Sequence, residues 1–333
     1  MQAFTFLRAT DARQAIDAGA RSPTAQQGAS VRFVAGGTTL LDLMKLNVET
    51  PAQVVDINRL PLAKVERTPD GGLKIGALVR NADLANHAEV KRDYAVLSEA
   101  LLAGASAQLR NMATTGGNLL QRTRCMYFRD EHMPCNKREP GSGCPAIDGA
   151  NRNLAILGTS EHCIATNPSD MNVALAALEA RIVIQGAKGE RTVPIADFFL
   201  LPGDTPQHET VMQPGDLITH VLLPPPTRGA RSHYLKLRDR ASYEFALASA
   251  AVVLGTEDGR ITHARVALGG VGTRPWRSVE AEQALLGQPA GPDAFAAAAN
   301  AALRDAKPQS ENAFKVELAK RCLTHAFATV AAA

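Results

Sequence analysis

Aromatic residues, basic clusters and long apolar runs are all scarce in this sequence of 333 residues. Aromatic side chains make up 5% of the chain, too few for the stacking surface that single-stranded nucleic acids require. The formal net charge of +3 is small and is not gathered into basic runs, so we expect no nucleic-acid partner. No stretch approaches the ~18 apolar residues typical of a membrane-spanning helix, and we expect no membrane span.

Two further signals are missing. The start, Met1–Arg8, has no apolar run beside a basic segment, so no signal peptide is predicted and any export must depend on a partner. The eight histidines are scattered, and none accompanies a nucleophile in a pattern typical of covalent catalysis. We therefore expect the chemistry of this chain to belong to a cofactor.

Apolar periodicity and turn residues predict an α+β protein with a larger N-terminal part and a smaller C-terminal part. Strands are predicted at Val31–Ala35 and Leu217–Leu223, a hairpin turn at Glu257–Gly259, and helical periodicity through residues 82–105. The triple proline Pro224–Pro226 stiffens the chain and cannot donate strand hydrogen bonds. It therefore marks a domain boundary.

A first glycine loop joins a predicted strand to a predicted helix. Its residues are Val34, Ala35, Gly36, Gly37, Thr38, Thr39, Leu40 and Leu41. Paired glycines let the backbone approach a ligand, and consecutive N–H groups before a helix favour an anion such as pyrophosphate. The spacing is not that of a Rossmann or an NTPase phosphate loop. The structural alternative is a tight turn before a helix that Thr38 caps.

A second loop repeats the same chemistry further along the chain. It again combines hydroxyl residues, paired glycines and an amide, and its candidate binding residues are Arg110, Thr114, Gly117 and Asn118. Two such loops suit a long dinucleotide, because both phosphates need backbone donors and the rings need polar neighbours.

Four of the five cysteines lie close together in an irregular, proline- and glycine-rich segment: Cys125, Cys135, Cys144 and Cys163. Three interpretations stay open from the residues alone. Disulfides could pair them in three ways, zinc would prefer the short Cys-x₂₋₄-Cys spacing that is absent, and a 4Fe–4S cluster needs four thiolates from loops that converge. Cys322 stands at helical spacing from Phe314 and Leu318 and is predicted to be core.

These motifs resemble, in their order, those of the FAD-binding subunits of molybdenum hydroxylases such as xanthine dehydrogenase and carbon monoxide dehydrogenase. The two glycine loops are similar to the two FAD loops of that family. Further similarity lies at Pro168–Met171, Lys236–Arg240 and Arg265–Val271, so the resemblance covers nearly the whole chain.

The resemblance implies a vanillyl-alcohol-oxidase/PCMH-type FAD-binding domain at 1–225, built of two α/β subdomains at about 1–60 and 61–225. A cysteine-rich insert would occupy 120–165. A small α/β domain of the CO dehydrogenase flavoprotein C-terminal type would follow at 228–333.

The family also implies roles for single residues and a non-covalent FAD. The first loop would hold the pyrophosphate and the second loop would lie against the same cofactor. Asp170 would reach the ribose or adenine side, and Ile218 and Lys236 would lie near the isoalloxazine. The structural alternatives are a helix cap for Asp170, core packing for Ile218 and a solvated strand position for Lys236.

One branch of the family, similar to the FAD subunit of bacterial periplasmic aldehyde oxidoreductase, carries a 4Fe–4S cluster in such an insert. The segments Leu119–Cys125, Pro134–Arg138, Pro140–Cys144 and Cys163–Thr166 resemble that branch. The resemblance therefore favours a 4Fe–4S cluster on the four clustered cysteines.

By the same resemblance, the chain is expected to be the FAD-containing electron-transfer subunit of a molybdenum-dependent aldehyde or xanthine-type oxidoreductase. A molybdenum-cofactor catalytic subunit and a 2Fe–2S subunit would complete a heterotrimer or its dimer, and electrons would leave through FAD to an external acceptor. We expect a soluble bacterial protein, periplasmic by co-export with a signal-bearing partner or else cytoplasmic. The alternatives are a stand-alone flavin-dependent oxidoreductase and a zinc-stabilised binding module.

Overall fold

The computed structural model describes residues 1–332, whose strands form three sheets. The first sheet is parallel, with the order β1-β3-β2, and the helices α1 and α2 follow its first two strands. The bounds are β1 Thr5–Arg8, α1 Ala12–Gly19, β2 Val31–Val34, α2 Leu40–Lys45 and β3 Gln53–Asp56. Asp11 begins α1 by accepting a hydrogen bond from the backbone N–H of Gln14 at 2.8 Å. The strand predicted at Val31–Ala35 is confirmed, since it corresponds to β2.

The second sheet is antiparallel, with the order β4-β5-β8-β6-β7. Its strands are β4 Val65–Arg67, β5 Leu73–Gly76, β6 Arg181–Gly186, β7 Gly189–Pro194 and β8 Leu217–Leu223. Strand β8 pairs with β5 and β6, which are more than 100 residues apart in sequence. Strand β8 therefore brings β5 and β6 into one sheet, and the cysteine-rich insert belongs to the long connection between those two strands.

Eight helices lie between β5 and β8 in the chain. They are α3 Asn81–Asn86, α4 Ala88–Asp93, α5 Ala95–Ala103, α6 Ala107–Met112, α7 Thr115–Leu119, α8 Met126–Arg129, α9 Asp170–Ala177 and α10 Ile195–Phe198. The helical periodicity through residues 82–105 corresponds to three helices, because the backbone turns extended at His87 and leaves the helical region at Tyr94. All residues of α9 are buried, since it lies between α5 and the third sheet.

The third sheet has the order β12-β11-β10-β9 and is antiparallel. Its strands and the three C-terminal helices are β9 Ala230–Leu237, β10 Ala248–Glu257, β11 Arg260–Gly269, β12 Trp276–Arg277, α11 Val279–Leu285, α12 Pro292–Ala302 and α13 Phe314–Ala332. Asp258 and Gly259 both have positive φ, 49° and 74°, as a two-residue hairpin turn requires. The hairpin prediction is confirmed, and Cys322 is fully buried as predicted.

Strand β10 joins the two main cores. Ala251 and Val253 contribute to the central core with α5 and α9, whereas Val252 and Leu254 contribute to the C-terminal core with α11–α13. This alternation follows from the two-residue period of a strand. The third sheet is therefore buried on both faces, and it fastens the C-terminal part to the rest of the molecule. Among residues 1–332, no helix combines the length and apolar character needed to cross a bilayer.

Lys315, at the start of α13, is a fully buried lysine. Its ammonium donates hydrogen bonds to the carbonyl oxygens of Leu154 at 3.0 Å and Gly270 at 2.6 Å. Burial lowers the pKa of Lys315 to about 7. The side chain thus ties the end of the cysteine-rich insert to the third sheet, at the cost of a disfavoured charge.

We predict a pH-dependent stability difference between the protein and its Lys315→Met variant. In the unfolded chain a lysine has a pKa of about 10.4. Between about pH 7 and pH 10 the unfolded state binds more protons than the folded state, so this site adds stability as the pH rises. Urea unfolding at several pH values should show the free energy of unfolding of the unsubstituted protein rising relative to the variant across that window. A constant difference would contradict the assignment.

Candidate functional site

A large cavity lies between the first sheet and the second sheet. Both glycine loops line it, although they are separated by about 80 residues in sequence. Of the residues predicted to bind the cofactor, the structure brings the following to its wall: Val34, Ala35, Gly36, Gly37, Thr38, Thr39, Leu40, Thr114, Gly117 and Ile218.

The first loop follows β2 and turns at Gly37, whose φ is +73°, a backbone conformation that favours glycine. The residue that precedes α2 is Thr39, and its side chain makes no capping hydrogen bond. The structural alternative of a capping Thr38 is therefore wrong. Both threonines lie on the cavity wall with hydroxyl groups that the helix does not use.

The second loop is organised by Thr114, which is 1% exposed. Its hydroxyl accepts a hydrogen bond from the N–H of Gly117 at 3.2 Å and so begins α7. The N–H of Gly116 donates to the carbonyl oxygen of Ala77 at 2.8 Å, which holds the loop against the end of β5. The loop therefore has a defined shape before any ligand binds.

Gly36 lies in direct contact with the second loop. A Cβ atom placed on Gly36 would overlap the carbonyl oxygen of Met112. No other amino acid allows the two backbones to come this close, so glycine is required here for the loops to share one wall.

Three predicted binding residues face elsewhere. The guanidinium of Arg110 donates to the carbonyl oxygen of Gly104 at 2.7 Å, and Leu41 is 41% exposed at the surface. The side-chain oxygen of Asn118 accepts a hydrogen bond from the Ser169 hydroxyl at 2.7 Å. Their proposed contacts with a cofactor stay predictions.

Asp170 and Lys236 form a buried ion pair at 2.8 Å, with 9% and 3% of their side chains exposed. The Tyr234 hydroxyl donates to the other carboxylate oxygen at 2.6 Å, and burial together with this carboxylate raises the pKa of Tyr234 well above its usual value. Two structural alternatives are wrong: Ser169, not Asp170, caps α9, and Lys236 is not solvated. The pair joins α9 to β9 beside a second cavity that Asp170 lines.

The two cavities adjoin each other. Thr166, Asn167 and Pro168 line both of them. A ligand long enough to leave the main cavity past this segment would meet the Asp170 side of α9.

A network of charged side chains on the main cavity wall escaped the sequence analysis. It contains Arg32, Glu49, Arg122, Lys137 and Glu209. Burial would raise the pKa of Glu209, but the charges of Arg122 and Lys137 outweigh it and hold that pKa at about 2. These residues come from three regions of the chain that are far apart in sequence, so no local pattern reveals their pairing.

The four clustered cysteines line one small cavity beside Phe128, and all five cysteines of the chain are free thiols. Burial raises the pKa of Cys125 to about 12. Among residues 1–332, no group of three or more His, Cys, Asp or Glu is placed to hold a metal ion.

The cysteine cavity and the main cavity share part of a wall. Lys137, Cys163 and Ala165 line both. The Lys137 ammonium is held there by Glu209 at 3.0 Å and by the carbonyl oxygen of Pro206 at 2.9 Å. The ammonium group of Lys137 therefore lies in the wall between the two cavities.

Comparison with known proteins agrees with this geometry. The family described as "FAD binding domain in molybdopterin dehydrogenase" matches residues 2–226, and the family described as "CO dehydrogenase flavoprotein C-terminal domain" matches residues 233–330. The chain belongs to the FAD-binding subunits of the molybdopterin dehydrogenases, also called molybdenum hydroxylases, and is thus an oxidoreductase subunit.

Within that family, the chain is 53% identical over 329 residues to the aldehyde oxidoreductase FAD-binding subunit PaoB of Escherichia coli strain K12, with 98% of each chain covered. It is 27% identical to the carbon monoxide dehydrogenase medium chain of Hydrogenophaga pseudoflava, with 92% of each chain covered. A solved structure of carbon monoxide dehydrogenase from that organism has a TM-score of 0.77 at 25% identity, covering 99% of this chain and 98% of that one.

These comparisons confirm the predicted family, the FAD cofactor and the fold, an FAD-binding domain followed by a CO dehydrogenase flavoprotein C-terminal domain. The domain boundaries at 225 and 228 and the roles of single residues stay predictions.

We predict that Gly36→Ala weakens FAD binding at least about tenfold, because the new methyl group must push the two loops apart. The dissociation constant can be measured by titrating flavin-free protein with FAD and following flavin fluorescence. Gly291→Ala is the matched control, since its Cβ would meet no atom within 4 Å. Equal affinity in the Gly36 variant and the control would show that the loop contact does not shape the site.

Proposed function

We propose that this chain is the FAD-containing electron-transfer subunit of a molybdenum-dependent aldehyde oxidoreductase. Electrons would reach it from 2Fe–2S clusters of a partner subunit and leave to an external acceptor. The name of the Escherichia coli relative, an aldehyde oxidoreductase FAD-binding subunit, supports this choice of reaction over a xanthine-type one. The partners would be a molybdenum-cofactor subunit and a 2Fe–2S subunit in a heterotrimer or its dimer.

The observation that carries the proposal is the meeting of two glycine loops on one cavity wall. The backbone N–H groups of the first loop suit a phosphate of a dinucleotide. The N–H groups of Thr115, Gly116 and Gly117 already donate within the protein, so the second loop would shape the site rather than donate to a phosphate. The hydroxyl groups of Thr38 and Thr39 add donors that no helix cap consumes. The residues present therefore fit the diphosphate of FAD.

The chain's own side chains would bind and orient the cofactor, whereas FAD, when bound, supplies the capacity to accept and release electrons. Ile218 would contribute an apolar contact from β8. The adjoining second cavity supports a site that continues towards Asp170, Asn118 and Lys236, where the buried pair of Asp170 and Lys236 would offer fixed polar groups. In this proposal Asp170 would lie on the ribose or adenine side and Ile218 near the isoalloxazine. Lys236, predicted near the isoalloxazine, contacts Asp170 at 2.8 Å, so it would lie at the same end of the cofactor as Asp170.

We further propose that Cys125, Cys135, Cys144 and Cys163 ligate a 4Fe–4S cluster. A cubane takes one thiolate at each of its four irons, so its sulfur ligands stand farther apart than those of a single metal ion. The four cysteines line one cavity, so four thiolates are available in one place. The residues around them also lack regular secondary structure over most of 130–165, as expected of a segment ordered by a crosslink.

The cofactor content of the purified complex tests the function. Co-expressed with molybdenum-cofactor and 2Fe–2S partners, the chain should carry FAD, and reduction of the complex by an aldehyde should bleach the flavin absorption. A complex that forms without FAD would contradict the proposal. Flavin reduction by an aldehyde in the isolated chain would instead indicate a stand-alone flavin oxidoreductase.

We predict that Cys135→Ser abolishes the iron bound by this chain and leaves FAD in place, because serine is a poor cluster ligand and Cys135 does not line the FAD cavity. Iron analysis and the visible spectrum of the isolated chain measure both cofactors. Cys322→Ala is the matched control, since Cys322 is buried in the C-terminal core and should retain both. Iron content that is equal in the two variants would contradict the cluster.

A further inference from the structure

The two glycine loops are joined behind the cavity by a pair of side chains, Asn58 and Arg80. Asn58 follows β3 of the first sheet. Arg80 lies between β5 of the second sheet and α3, immediately before the helix. Both line a third, smaller depression. Neither residue lines the main cavity.

Asn58 holds the first loop. Its amide nitrogen donates to the carbonyl oxygen of Ala35 at 2.9 Å and to a carboxylate oxygen of Asp56 at 2.7 Å. Asp56 is itself paired with Arg8 at 3.1 Å. The amide is therefore fixed from two sides, and its orientation does not depend on the loop.

Arg80 holds the second loop and completes the link. One guanidinium nitrogen donates to the side-chain oxygen of Asn58 at 3.2 Å, and the other donates to the carbonyl oxygen of Met112. The same Met112 carbonyl lies against Gly36. The fork of the guanidinium thus reaches both sides of the junction, which a lysine ammonium cannot do with the same geometry.

We propose that Asn58 and Arg80 are positioning residues for the dinucleotide: they set the separation of the two loops and thereby the width of the cavity that both loops line. This inference rests on the proposed placement of FAD at those loops. Neither side chain touches the cofactor. Because the loops belong to different sheets, small relative movements of the sheets change the cradle unless a direct link opposes them.

Arg80→Met tests the link, since it removes both hydrogen bonds and keeps an unbranched apolar stem. FAD dissociation constants of the full-length chain should rise about tenfold, the effect of losing one or two hydrogen bonds that hold a site in shape. Arg80→Lys should recover part of the affinity. Arg67→Met is the control, because Arg67 is half-exposed and pairs with Glu89 at 2.7 Å away from both loops.

A double-substitution cycle separates positioning from general stability. If Asn58 and Arg80 act as one link, the Asn58→Ala/Arg80→Met double variant should bind FAD no more weakly than the weaker-binding single variant. Melting temperatures of the flavin-free proteins are measured in parallel. Affinity unchanged in Arg80→Met, or lost only in proportion to a lowered melting temperature, would overturn the inference. Failure of the unsubstituted chain to bind FAD would instead overturn the proposed function.

Discussion

The site depends on one close backbone contact, the approach of Gly36 to the carbonyl group of Met112. The first loop follows β2 of the parallel sheet, whereas the second follows α6 and is held against the end of β5 of the antiparallel sheet. The two sheets contribute to different core clusters, although Leu217 of β8 packs in the cluster of the first sheet, so the contacts where they meet set the distance between the loops. A residue without a side chain at the contact lets the two turns line the same cavity.

Charges in the interior are paired in ways that link segments distant in sequence. Lys236 and Asp170 join β9 to α9, and Glu209 gathers Arg122 and Lys137 from the cysteine-rich insert. Removing one partner of a buried pair leaves the other charge without compensation, which is far more costly than the net stabilisation of the intact pair. These pairs therefore specify how the insert and the third sheet are seated beside the cavity more than they add stability.

The insert is a case in which function and folding are hard to separate. Its cysteines pack with Leu43 and Val48 of the first domain segment, and its far end reaches the C-terminal core through Ile156 and Leu157. A cofactor bound by the cysteines would thus stabilise the insert together with its contacts to the N-terminal segment and to the C-terminal core. The shared wall at Lys137 and Cys163 also brings this region next to the proposed flavin site.

Local sequence patterns were sufficient for the strand at Val31, the hairpin at Asp258, the burial of Cys322 and the two glycine loops, because periodicity, turn conformation and backbone flexibility act over a few residues. The division of residues 82–105 into three helices, the pairing of Asp170 with Lys236 and the charged network around Glu209 arose from contacts between residues far apart in the chain. Such contacts depend on how the sheets pack. A carboxylate or an ammonium group in the sequence does not indicate which oppositely charged side chain will lie beside it in the folded protein.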